Sequence, residues 1–89
     1  MRAIVTVVGR DLVGIIAGIC TVLSKMNVNV LDISQTILGG MFTMIMLVDA
    51  EKATGSFTEI DRALGAEGER LGVSVRIQRE DIFNAMHRI

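Results

Sequence analysis

Residues Gly9-Arg-Asp-Leu-Val-Gly14 stand between a β-branched run ending at Val8 and a helix-like run of small and apolar residues that begins at Ile15. Glycines at both ends of such a turn let backbone amides approach a ligand, and the helix start that follows adds partial positive charge for an anionic group. The turn is therefore a candidate site. A phosphate loop of the form G-x-x-x-x-G-K-[ST] requires the four-residue spacing that separates Gly9 from Gly14, but Ile15 and Ile16 stand where it needs lysine and a hydroxyl. Neither the phosphates nor a magnesium ion would find a side-chain ligand. The dinucleotide fingerprint G-x-G-x-x-G fails as well, because the turn lacks its first closely spaced glycine pair.

The rest of the chain restricts the chemistry further. Its 89 residues form one expected domain, 1–89, long enough for a single two-layer core but short for a two-domain cleft. With a net charge of −1 and three aromatic residues, all Phe, the chain offers neither the basic footprint nor the stacking platforms of nucleic-acid modules. No direct nucleic-acid partner is expected. Cys20 is the single cysteine, so neither a disulfide framework nor a C-x-x-C metal motif can form within the chain. No metal and no cofactor are expected. The sequence opens directly into a strand-like stretch without a leader, and no apolar run reaches the roughly 18 residues of a membrane span. These features predict a soluble, cytoplasmic protein with no membrane partner.

The elements that must position the turn follow from periodicity. Arg2 to Val8, rich in Val, Ile and Thr, reads as a strand buried on both faces, since both alternating sets are apolar. Ile15, Ile16, Ile19, Cys20, Leu23 and Met26 recur at helical spacing over about Leu12 to Met26, with Asp11 placed to cap the start or favour the dipole. Gly14, Ala17, Gly18, Thr21, Ser24 and Lys25 give that helix a face of mostly small residues and little charge, open to another backbone, a ligand or solvent. Val28 to Leu38 and Met41 to Ala50 are strand-like and separated by Gly39-Gly40, which predicts an antiparallel hairpin. Ser56-Phe-Thr-Glu59 matches a capping box ahead of a helix that ends at Gly72, weakened by Gly65 and Gly68 and so dependent on packing. Val73 to Arg79 alternates as a fourth strand, and Ile82, Phe83, Met86 and Ile89 after Glu80-Asp81 predict a short C-terminal helix.

The order β-α-β-β-α-β, with right-handed crossovers, predicts an α+β ferredoxin-like sandwich: a four-stranded antiparallel sheet, strands one and three central, with two helices on one face and a short C-terminal helix. Such an architecture hosts unrelated functions, so each is tested at its site. A metal chaperone needs two cysteines at the first turn, which has none. An RNA-recognition module needs exposed aromatics on the central strands, where only Phe42 stands. An acylphosphatase-like cradle would use Gly9, Arg10 and Gly14, but it also needs an asparagine on the third strand, and Met41 to Ala50 contains none. Asp11 beside Arg10 would in addition repel the anion.

The turn Gly9-Arg-Asp-Leu-Val-Gly14-Ile-Ile-Ala17, followed by Asn27-Val-Asn-Val-Leu-Asp-Ile-Ser-Gln35, resembles the ACT domain, a regulatory module that binds amino acids in metabolic enzymes and regulators. The resemblance covers nearly the whole chain. It is nearest to stand-alone bacterial and archaeal ACT proteins and to the ACT halves of the glycine-cleavage-system repressor, where a Gly-x-Asp-x-x-Gly-Ile turn precedes the first helix. The common pattern has proline before the second glycine, where this chain has Val13. What the resemblance implies is a non-enzymatic homodimer that holds an amino acid between subunits and serves a separate enzyme or regulator. It places ligand contacts at Asp11, Leu12, Val13, Gly14 and Ile15 on one chain and Asn29 on its neighbour. Zwitterion chemistry is compatible with this set: amides near Gly14 can donate to a carboxylate, while Asp11 or Asn29 can accept from an ammonium.

Each of these residues also has a plainer role open to it. Asp11 can be a helix cap, Gly14 a packing point for the first helix, Asn29 the end of a turn, and Asp32 a solvated edge charge. Arg10 can be an ordinary surface residue, Cys20 a core residue, and His87 has no evident base or metal to work with. No catalytic residue is expected. The alternative function is a protein-interaction subunit with no ligand of its own.

Overall fold

The computed structural model describes residues 1–10 and 13–81. Its elements are β1 (Arg2–Arg10), α1 (Ile15–Lys25), β2 (Asn29–Leu38), β3 (Met41–Asp49), α2 (Phe57–Leu71) and β4 (Ser74–Arg79). The strands form one sheet in the order β2-β3-β1-β4, every neighbouring pair antiparallel. Both helices pack on one face, which makes the expected ferredoxin-like sandwich. The expected helix over Ile82 to Ile89 lies outside the described residues.

The core forms where the alternating sets of the central strands meet the helices. Ala3, Val5 and Val7 of β1 and Met44, Met46 and Val48 of β3 are closed off by Ile19 and Leu23 of α1 and by Ile60 and Leu64 of α2. α2 starts as its sequence dictates. Ser56 Oγ accepts from the Glu59 amide at 3.2 Å, while Glu59 Oε1 accepts from the Ser56 amide at 3.0 Å, so two otherwise orphaned donors are satisfied. These bonds hold the Glu59 carboxyl below its ordinary range, the backbone donor of Ser56 being the larger cause. The helix ends at Gly72 in the left-handed conformation (φ 74°). Gly68 is a packing residue: a β-carbon there would stand 2.8 Å from Val75 Cγ2 and 2.9 Å from the Val73 carbonyl oxygen.

Three expectations are corrected. α1 starts at Ile15 rather than near Leu12, and its N-cap is Gly14, with no capping side chain. Asp11, expected to cap this start or favour its dipole, lies outside the described residues. β1 is buried on both faces over only part of its length: the set Ala3, Val5, Val7 is sealed under the helices, whereas on the other face Ile4 is buried but Val8 is exposed. Finally, β2 carries a bulge at Leu31, between the register pairs Val30↔Val48 and Asp32↔Leu47. The extra residue shifts the alternation, so that Ile33, Gln35 and Ile37 share the helix side of the sheet with Val30. That shift decides which face of the edge strand is apolar.

Candidate ligand site at the first turn and the β2 edge

Gly14 stands at the helix start with φ 94° and ψ −1°, a conformation that costs an L-residue with a β-carbon but not glycine. A β-carbon built on it would meet nothing within 4 Å. Among the described residues the packing alternative for Gly14 thus finds no neighbour over its Cα. Close approach within the chain belongs to other glycines: Gly9 lies against Val73, and Gly18 lies against Glu67 and Leu71 of α2. Part of the small-residue face of α1 is therefore spent on the helix–helix contact, while Ala17, Thr21 and Ser24 remain exposed.

Of the expected ligand contacts, Asp11 and Leu12 lie outside the described residues. Val13 is fully exposed beside Gly14, whereas the Ile15 side chain is sealed in the core and offers only its backbone to the turn. Asn29 stands elsewhere. It opens β2 beyond the C-terminal end of α1, and an 11-residue helix spans about 16 Å. One chain therefore holds the two halves of the expected site at opposite ends of α1 and does not bring them together.

Asn29 lines a cleft of about 560 Å³ with Cys20, Ser24, Asn27, Glu51 and Lys52. The cleft is built by the turn after α1. Asn27 adopts φ 58°, which asparagine tolerates better than most residues, and its Nδ2 donates to the Lys52 carbonyl at 2.8 Å. Asp49 on the same wall accepts the Glu51 amide at 2.9 Å and lies 3.6 Å from the amino group of Met1. Cys20 is half-buried on this wall, against the core but not within it. Sequence reasoning missed Glu51 and Lys52, which sit in an irregular turn with no periodicity to mark them. No group of three or more His, Cys, Asp or Glu among the described residues could hold a metal ion.

Between the cleft and the turn runs the free edge of β2. Ile16, Cys20 and Ser24 are spaced at i, i+4 and i+8 and so form one stripe of α1. Cys20 and Ser24 face the cleft, which puts Ile16 (40 % exposed) on the β2 side of the helix. Beside it lie Ile33 (41 %) and Ile37 (56 %) on the uncovered helix side of β2. The edge backbone carries one local modification: the Ile33 amide donates to Asp32 Oδ1 at 2.9 Å. Asp32 is thus more than a solvated charge, since its carboxylate satisfies a backbone donor of the edge strand.

Comparison with known proteins agrees with this geometry. The ACT domain family model matches residues 2–78, and the chain belongs to the ACT domain family. It is 49 % identical over 89 residues to a UPF0237 protein of Listeria monocytogenes, covering 100 % of both chains. It is similar in structure to an ACT domain protein from Streptococcus pneumoniae, with a TM-score of 0.82, 40 % identity and 93 % of each chain covered. A glycine cleavage system transcriptional repressor shares the fold, at a TM-score of 0.73 and 22 % identity, over 86 % of this chain and 44 % of that one. ACT domains are regulatory small-molecule binding modules, and no helix among the described residues is long and apolar enough to cross a membrane.

Proposed function

We propose that this chain is a non-enzymatic regulatory module that works as a homodimer joined along β2 and takes an amino acid at a site shared by two subunits. The observation that carries the reading is the division of the candidate site between the two ends of an open edge strand. β1 and β2 both run antiparallel to β3, so they run parallel to each other, and the Gly14 turn lies at the C-terminal end of β2. A two-fold partner adding its own β2 antiparallel to this one carries its Asn29 to that end. The two halves then meet across the interface, and the exposed Ile16, Ile33 and Ile37 gain cover. Gly14 amides serve the carboxylate, and Asn29 with Asp11 serves the ammonium. A cytoplasmic setting, with a separate enzyme or regulator as the partner that reads the ligand state, fits this role.

The test is a thermal-shift screen of the purified chain against the twenty amino acids, because a ligand that binds only the folded state raises the melting midpoint. One amino acid is expected to do so, and the mass in solution is expected to be an even multiple of the chain. A dimer that no amino acid stabilises would turn the reading into a ligand-free interaction subunit. A monomer would remove the shared site altogether.

A further inference from the structure

The second face of the sheet carries no described helix and yet is not polar. Along the central strands it presents Val8 of β1 with Met41, Ile45 and Leu47 of β3, bordered by Leu38 of β2, while Ile4 at the other end of the same face is buried. Val8 is 37 % exposed, Ile45 40 %, Met41 47 % and Leu38 79 %. Between the apolar residues stand Thr6, Thr43, Ser34 and Thr36, and charge is confined to the margins at Arg2, Arg10, Arg76 and Asp32. A solvated outer face of an antiparallel sheet normally reads as polar. An apolar centre with a charged rim is the anatomy of an interface.

We propose that this face is a second homotypic interface, on which the same face of another copy of the chain packs. The area is sufficient. Strands of about 30 Å at a spacing of about 4.8 Å make a four-stranded face of roughly 550 Å², so a face-to-face pair buries about 1,100 Å² in total, above the roughly 1,000 Å² that a specific contact needs. Aligned sheets stacked about 10 Å apart interdigitate their facing side chains, and Thr, Val and Ile on this face suit that spacing. Charge selects the orientation. A two-fold axis parallel to the strands lays β4 of one copy over β2 of the other, which sets Arg76 of each copy at the level of Ser34, next to Asp32, in its mate. An axis across the strands would instead stack Arg76 near Arg76 and repel.

Met41 pairs with Arg10, at the opposite end of β1 from Ala3, which pairs with Arg79, so the exposed end of this face lies about 23 Å along the strands from the end of β4. The proposal does not depend on the β2 edge, since face and edge are separate surfaces.

Sedimentation equilibrium of the full chain at micromolar concentration tests it. Met41→Lys, at an exposed position, is expected to halve the mass with an unchanged far-UV spectrum, from four copies to two if the β2 edge also pairs, or from two to one if it does not. Ile45→Lys at the centre is expected to do the same. Arg76→Asp is expected to weaken the association severalfold, and Arg76→Asp with Asp32→Arg to restore it. The proposal is overturned by a wild-type chain that is monomeric, by a folded Met41→Lys chain of unchanged mass, or by association that ends on removal of residues 82–89 while Met41→Lys has no effect. If Met41→Lys and Ile45→Lys both fail to fold, the Arg76 and Asp32 pair decides alone, and failure of the double exchange to restore the mass counts against the proposal.

Discussion

Replacing Gly14 by alanine separates what the turn needs for folding from what it needs for a ligand. Gly14 has φ 94°, and placing an L-residue in that region costs about 1–2 kcal/mol. No clash adds to this, because the new β-carbon meets nothing within 4 Å. Alanine also stiffens the unfolded chain, which offsets about 0.4–1 kcal/mol. The net loss is therefore expected near 1 kcal/mol, a fall in melting midpoint of about 4–8 °C for a domain of this size. Urea unfolding followed by far-UV circular dichroism, at one fixed protein concentration, measures it. Gly14→Asn is expected to recover most of the loss, since asparagine tolerates the left-handed region. Ligand response is expected to diverge from stability. Both variants place atoms over the open Cα, so both lose the stabilisation given by the amino acid that protects the wild type. A Gly14→Ala chain as stable as the wild type would refute the conformational argument. A Gly14→Asn chain that keeps the full ligand-induced shift would remove the turn from the site.

Four further outcomes follow from the geometry. Ser56→Ala removes the acceptor for the Glu59 amide and is expected to cost about 1 kcal/mol, or about 4–8 °C by calorimetry. Because the folded-state pKa of Glu59 is lowered, chiefly by the Ser56 backbone donor, its contribution is complete above the ordinary glutamate value and is lost as pH falls through the lowered one. Glu59→Gln should flatten that acid limb, and an unchanged slope would contradict the assignment. Gly68→Ala is expected to destabilise the fold although alanine is the better helix former by about 1 kcal/mol, since its methyl would press on Val75 and on the Val73 carbonyl; a stabilised variant in a thermal melt would show that α2 and β4 can part. Ile33→Pro removes an edge donor that the free chain satisfies with Asp32, and light scattering is expected to show loss of the β2-paired dimer, an undisturbed mass placing that contact elsewhere.

What the sequence determined by itself was whatever depends on neighbours along the chain. The capping box at Ser56 and Glu59, the Gly39-Gly40 hairpin, the helix end at Gly72 and the alternation of β4 are local chemistry, and each stands where its residues place it. The order of elements then limited the topology, because split crossovers of one hand put β1 and β3 at the centre and left β2 as a free edge. Tertiary structure decided three things that spacing cannot encode. The role of Gly14 was legible only as open to several explanations, until its φ proved positive and no described residue stood over its Cα. The bulge at Leu31 depends on how β2 meets β3, and it alone turns Ile33 and Ile37 to the helix side. The apolar outer set of β1 signalled burial on both faces, but a period-two pattern says that a face is covered and not by what. The helices take one face, and on the other Ile4 is buried while Val8, Met41 and Ile45 are exposed, a division that the alternation does not contain.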